Sequence, residues 1–331
     1  AQGAAAGDST PAGGIPANVL GGFRFRSIGP AFTSGRIADL AIHPNKKTWY
    51  AAVASGGVWK TENAGTTWSP IFDSQASYSI GTVVLDPKDP NVVWVGTGEN
   101  NAQRAVAFGD GVYKSEDGGR SWKNMGLKNS EHIGRIVIDP RDSKVIYVAA
   151  QGPLWSDGGD RGLFKSTDGG ETWTKILSGE KYAGVNDVSL DPRNPDVMVA
   201  STWQRHRQMW GYIAGGPESA LHRSTDGGKT WKKLTSVPEG EGRIGLARAD
   251  SDPSTVYAIV EAANNRGGVY RSGDNGLNWE RRGGSFSSGS LYYSEIWVDP
   301  NNAERVIAVD VQNQVSNDGG RTWSGLGESG K

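Results

Sequence analysis

Along most of this chain apolar and polar residues alternate in short runs, and the runs are separated by turns rich in Gly, Pro, Asp and Asn. Alternation of period two predicts strands with one face buried. Residues 134–177 show the order most clearly. GRIVIDP (Gly134 to Pro140), KVIYVAA (Lys144 to Ala150), RGLFKSTD (Arg161 to Asp168) and ETWTKIL (Glu171 to Leu177) read as four successive strands. The turn after the first strand recurs along the chain as DPKDPN, DPRDSK, DPRNPD, SDPST and DPNNAE. Pro presets φ in such turns, and Asp or Asn hydrogen-bonds the nearby backbone. No long helix is predicted anywhere.

The turn before the fourth strand recurs as well. It reads TENAGTTW (Thr61 to Trp68), SEDGGRSW (Ser115 to Trp122), STDGGETW (Ser166 to Trp173), STDGGKTW (Ser224 to Trp231), SGDNGLNW (Ser272 to Trp279) and SNDGGRTW (Ser316 to Trp323). The Trp positions are separated by 54, 51, 58, 48 and 44 residues, the length of one four-stranded propeller blade. The expected fold is all-β: a propeller of six four-stranded antiparallel blades, with seven blades or a larger array as alternatives. Asp117, Asp168, Asp226, Asp274 and Asp318, with Asn63 in the first repeat, are placed to accept backbone N–H groups across the hairpin turn. The Gly that follows permits positive φ. A carboxylate repeated at one place in every unit reads as scaffold, not as catalyst.

Composition sharpens this picture. With 48 Gly and only 36% hydrophobic residues the chain could be disordered. Its 13 Trp, 10 Tyr and 7 Phe argue for a packed core instead. The formal net charge of −1 and the lack of a basic stripe exclude a nucleic-acid binder. No apolar run reaches the roughly 18 residues of a membrane span. The absence of Cys excludes disulfides and thiol chemistry. His43, His132, His206 and His222 form no pair at metal-ligand spacing, and no phosphate loop precedes a helix; no cofactor or metal is expected. Residues 1–22 are Ala-, Gly- and Pro-rich and read as a flexible segment ahead of a propeller domain over 23–331. That segment is similar to the start of an exported protein after signal removal, and equally to a plain flexible tail. An extracytoplasmic location is expected.

The repeated S/T-x-D-x-G-x-T-W motif is identified as the Asp-box, or bacterial neuraminidase repeat. It is found in sialidases, xyloglucan-degrading glycosidases, sortilin-type receptors and photosystem assembly propellers. GTGENNAQRAVAFGDGVYKSEDGG, GPLWSDGGDRGLFKSTDGG and GGPESALHRSTDGG resemble exported bacterial sortilin-like or glycosyl-hydrolase-repeat proteins over roughly residues 23 to 327. FRFRSIGP (Phe23 to Pro30) is a candidate closing strand.

In an up-and-down blade the strand one–two turn and the Asp-box turn share one face. The strand two–three loops and the blade connections occupy the other. Three consecutive strand two–three loops are long: GENNAQRAVAFGD with Glu99, Asn100 and Arg104; QGPLWSDGGDR with Trp155; and WQRHRQMWGYIAGG with Trp203 and Arg205. Long loops on a rigid scaffold are where binding residues gather. The motifs SGRIADL, IGRIVID and EGRIGLA bring Arg36, Arg135 and Arg243 to the same level, with Tyr292, Tyr293 and Glu295 nearby. This set resembles a sialidase site, with three Arg on a substrate carboxylate and a Tyr–Glu pair. The sialidase Arg-Ile-Pro motif is missing, and Asp39 and Asp187 are weak acid/base candidates. The alternative is that each Arg pairs internally across the channel.

The main expectation is an exported, non-catalytic propeller that binds a protein, peptide or glycan through the elaborate face. A glycosidase of sialidase or xyloglucanase type, with Glu99 and Glu295 as candidate carboxyls, is the first alternative. A structural accessory subunit of a larger surface or membrane complex is the second.

Overall fold

The computed structural model describes residues 36–101, 106–179, 181–238, 242–284, 293–310 and 312–327. The expectations for residues 1–22, Phe23–Pro30, Arg104 and Tyr292 fall outside them. Every regular element among the described residues is a strand. The strands form six four-stranded antiparallel sheets, each in sequential order. The innermost strands of blades one to six are Ile37–Ile42, Ile80–Leu85, Ile133–Ile138, Ala183–Asp191, Ile244–Arg248 and Glu295–Asp299. Residues from all six line one axial cavity, so the blades surround a common axis. The expected six-bladed propeller is the observed fold.

Blade three shows how pattern becomes structure. Its strands are Ile133–Ile138, Ile146–Ala150, Gly162–Ser166 and Thr174–Leu177. Val148 stands opposite both Ile136 and Phe164. The fourth strand starts three residues later than the alternation suggests, because Glu171, Thr172 and Trp173 belong to the Asp-box turn.

The box is a hydrogen-bonded clasp. Ser166 donates its hydroxyl to Asp168 (2.7 Å) and accepts the Gly170 N–H (2.8 Å). Asp168 in turn accepts the N–H of Thr172 (3.0 Å) and its hydroxyl (2.5 Å). The same pattern holds around Asp117, Asp226, Asp274 and Asp318. Asn63 reproduces the backbone part, accepting the Thr67 N–H at 2.9 Å. Gly170 has φ of 92°, and a Cβ there would stand 2.6 Å from the Trp94 ring of the preceding blade. Trp68, Trp231, Trp279 and Trp323 donate their indole N–H to the carbonyl of the box glycine three residues earlier. Trp122 and Trp173 reach across instead, to Ile71 O and Met125 O of the preceding blade.

Between blades lie the apolar cores. Tyr50 and Ala52 of blade one pack with Val83 and Val95 of blade two. Trp94 and Val112 pack with Ile136 and Val148. Tyr147 and Ala149 pack with Val188 and Ala200. Val199 and Leu221 pack with Leu246 and Ala258. Tyr257 and Ile259 pack with Ile296 and Ala308. Burying one such side chain contributes about 1.5–3 kcal/mol. These are five junctions for six blades. Among the described residues no apolar cluster joins blade six to blade one.

Candidate functional site

The inner strands all start on the face that carries the long loops, and their first residues meet at the axis. Gly134 makes close approach possible there: a Cβ would stand 2.2 Å from the Asn186 carbonyl of blade four. The resulting cavity is lined by Asp39, Asn100, Arg135, Asn186, Asp187, Arg243, Glu295 and Trp297, among others. Its volume of about 20 Å³ admits a water-sized molecule and no sugar ring.

The structure gathers Arg36, Arg135 and Arg243 around this axis, and each is paired with a carboxylate. Arg36 donates its Nε to Glu99 at 2.5 Å, and its terminal nitrogen makes an ion pair with the same oxygen. Arg135 bonds Asp187 at 3.1 Å, and that carboxylate holds the guanidinium above its ordinary range. Arg243 bonds Asn186 at 3.1 Å and approaches Glu295 at 3.5 Å. Burial pushes Arg243 down, against the pull of Glu295. An open three-arginine anion clamp is therefore not what the chain builds; the guanidinium groups are used in internal pairing across the channel.

Glu99 is fully buried, accepts Asn101 at 2.8 Å, and leaves its Oε2 without a hydrogen bond. His132 lies against its backbone carbonyl at 2.9 Å. Burial holds His132 well below the usual imidazole range. Glu295 differs from the other carboxyls. Its side chain keeps 20% of its surface exposed and accepts Asn100 at 3.3 Å. Burial outweighs Arg243 and Arg135 and raises it to about 7. Asp39 and Asp187 are clasps as well as cavity walls. Asp39 accepts the Thr82 hydroxyl (2.7 Å) and the Val83 N–H (3.1 Å) of the next blade. Asp187 accepts the Leu246 N–H of the next blade at 2.9 Å.

Two residues expected on the binding surface are interior. Trp203 is buried, with its indole N–H on Ala214 O, and the Arg205 and Arg243 guanidinium groups lie 5.0 and 5.6 Å from its ring. Arg205 is fully buried against the carbonyls of Asn101 and Gly152, both at 3.4 Å. The physical reason is that the blade-four loop folds into its own hairpin, His206–Gln208 with Gly211–Ile213, and its stem turns inward. Asn100 is also buried, while Tyr293 is half-buried beside Glu295. Trp155 is exposed as expected. It shares the loop-bearing face with exposed Tyr78, Phe108, Trp210 and Tyr212. Arg161 holds the blade-three loop, donating to the carbonyls of Gln151, Pro153, Ser156, Gly158 and Tyr182.

Sequence reasoning missed Asn186, Gln151 and Trp297. Gln151 donates to Asn100 O and to Asn186 Oδ1, both at 2.8 Å, and so ties three blades at the axis. Aligning the inner strands against one another would have found Asn186, one residue before Asp187 where blade three has Gly134. The wide part of the channel also lies on the Asp-box side, as openings of about 310 and 380 Å³. Among the described residues no group of three or more His, Asp or Glu is arranged to hold a metal ion. No described helix is long and apolar enough to cross a membrane, which leaves β-barrels unaddressed.

Comparison with known proteins agrees with this architecture. The Sortilin-Vps10 family, described as sortilin, neurotensin receptor 3, matches residues 110–213. The BNR/Asp-box repeat matches residues 222–233. The chain is a six-bladed β-propeller whose blades carry Asp-box turns. This propeller is 26% identical over 218 residues to a xyloglucanase of Acetivibrio thermocellus, covering 58% of this chain and 24% of that one. It is 23% identical to an oligoxyloglucan-reducing end-specific xyloglucanase of Emericella nidulans, covering 89% of this chain and 40% of that one. Among solved structures, the GH74 xyloglucanase of Xanthomonas campestris superposes with a TM-score of 0.61 at 17% identity, over 86% of this chain and 45% of that one. The propeller thus spans less than half the length of each. These relatives correct the expectation of a non-catalytic binding propeller: both curated proteins are named xyloglucanases.

Proposed function

We propose that this propeller is a glycan-hydrolysing module acting on a xyloglucan-type β-glucan, in an exported protein that meets polysaccharide outside the cell. The observation that carries the reading is Glu295, a carboxyl raised to about 7 that shares one cavity with Asp39 and Asp187. Glycoside hydrolysis needs one protonated carboxyl to supply a proton to the leaving oxygen and one ionised carboxylate for water or the sugar carbon. Raised to about 7, Glu295 keeps its proton in about half of the molecules at neutral pH and in most of them below it, and Asp187 beside Arg135 is suited to the second role. The cavity has space for the attacking water alone, so the sugar lies over it. Exposed Tyr78, Phe108, Trp155, Trp210 and Tyr212 offer flat apolar faces to the pyranose rings beyond.

The test is hydrolysis of xyloglucan and its oligosaccharides by the purified chain, followed by product chromatography. Glu295→Gln should lower the rate by at least about 100-fold. Wild-type activity should fall as pH rises through about 7, where the acid loses its proton. Unchanged activity in Glu295→Gln, or no product from any β-glucan tested, refutes the reading.

A further inference from the structure

Glu295 is met twice by the axial network, both times at the same oxygen. Asn100 Nδ2 reaches its Oε1 at 3.3 Å, and a terminal nitrogen of Arg243 approaches Oε1 at 3.5 Å. Behind these two contacts stands one pair of buried amides. Gln151 Nε2 donates to Asn100 O and to Asn186 Oδ1, both at 2.8 Å. Asn186 Oδ1 also accepts Arg243 Nε at 3.1 Å, and Asn186 Nδ2 donates to Ile244 O at 2.8 Å. Each amide therefore has one sense: turning either over would set like atoms against like. The backbone of Gln151 is held as closely. Its N–H bonds His132 O at 2.9 Å, and a Cβ on Gly184 of blade four would stand 2.2 Å from its carbonyl. Gln151, Asn186, Asn100 and Arg243 are all buried, where a hydrogen bond left unmade is most costly. Trp203 covers one face of the Arg243 guanidinium at 5.6 Å, and the Asn186 bond fixes that group within its own plane.

We propose that Gln151 and Asn186 are positioning residues for Glu295: they hold Asn100 and Arg243 on its Oε1 and so leave Oε2 to carry the exchangeable proton. An oxygen that faces two N–H donors is an acceptor, and a neutral carboxyl has one O–H to place. Around the same carboxyl stand Arg135 from blade three, Asp39 from blade one and Asp187 from blade four. Arg243 and Arg135 favour the ionised form, and the two Asp oppose it. Gln151 acts on Arg243 through Asn186, and on the uncharged Asn100 directly. The charge state of Glu295 belongs to the folded chain whether or not it hydrolyses a glycan; only the kinetic consequence rests on the hydrolytic reading.

Gln151→Met keeps the length of the side chain and removes both donated bonds. The titration of Glu295 is read by carboxyl carbon-13 NMR of the glutamate-labelled chain, its signal assigned from Glu295→Gln. An opposite charge within about 4–6 Å lowers a carboxyl by about 1–3 units, and a loosened Arg243 returns part of that, so the midpoint should rise by about one pH unit in Gln151→Met. Asn186→Ala, which leaves space for a water, should raise it likewise. The double variant should rise no further than the larger single one, as expected of one relay. Val256→Ala, a core truncation in the second strand of blade five, should leave the midpoint in place. A midpoint within about 0.2 units of wild type in folded Gln151→Met or Asn186→Ala would overturn the proposal and leave the pair as a tie between blades. An equal rise in Val256→Ala would overturn it too, since lost stability alone would then move Glu295. On xyloglucan the high-pH limb of kcat should move with the midpoint, while KM stays within about twofold because buried Gln151 does not reach the sugar. If the midpoint moves as expected but Glu295→Gln is fully active, the hydrolytic reading fails and the positioning role stands.

Discussion

Replacing Leu40 and Leu246 by Ala compares one deletion at two equivalent positions. Leu246 is 2% exposed and packs among Val199, Leu221, Ala258 and Tyr270 at a built junction. Leu246→Ala removes buried methyl groups and leaves a cavity that rigid sheets close poorly, a loss of roughly 2–5 kcal/mol. Leu40 already has 43% of its surface in solvent. Burying a leucine completely contributes about 1.5–3 kcal/mol, so its partial burial contributes about 1 kcal/mol, and no enclosed cavity forms on truncation. Repeat arrays can unfold in more than one step. The comparison therefore uses urea midpoints by circular dichroism, with the slope checked for constancy. Leu246→Ala should lower the midpoint at least twice as far as Leu40→Ala. Equal losses would show that Leu40 is packed in solution as Leu246 is, and would refute the argument from the unpacked junction.

Two further outcomes follow from the site and the clasps. Arg36→Met leaves the buried Glu99 carboxylate unpaired and should cost roughly 3–5 kcal/mol, while the double variant with Glu99→Gln should recover most of that, read from the same midpoints. Hydrogen bonds hold Asp168 and Asp226 at about 2, below their ordinary 3.8. Because the folded values are depressed, their stabilisation is present above about pH 4 and is lost as pH falls toward 2. Acid titration by circular dichroism should show unfolding in that window, shifted to higher pH when Asp168 is replaced by Ala.

The strands, their order and the box clasp were legible because each depends on local pattern. Alternation decides which side chains share a face, and a turn of fixed length brings Ser166, Asp168 and Thr172 together whatever the rest of the chain does. The axial site was legible only in part. The GRI motifs pointed to Arg36, Arg135 and Arg243, yet their partners Glu99, Asp187 and Glu295 lie 63, 52 and 52 residues away and meet them only once the blades are arranged in a ring. Trp203 and Arg205 read as surface groups because loop composition does not reveal which side of a hairpin turns inward. The sequence by itself determined the repeat, the blade and the two unequal faces, since these follow from period and turn chemistry. Tertiary structure alone decided which charges neutralise one another and which junction is left unpacked, since desolvation and face-to-face burial depend on neighbours that no local pattern specifies.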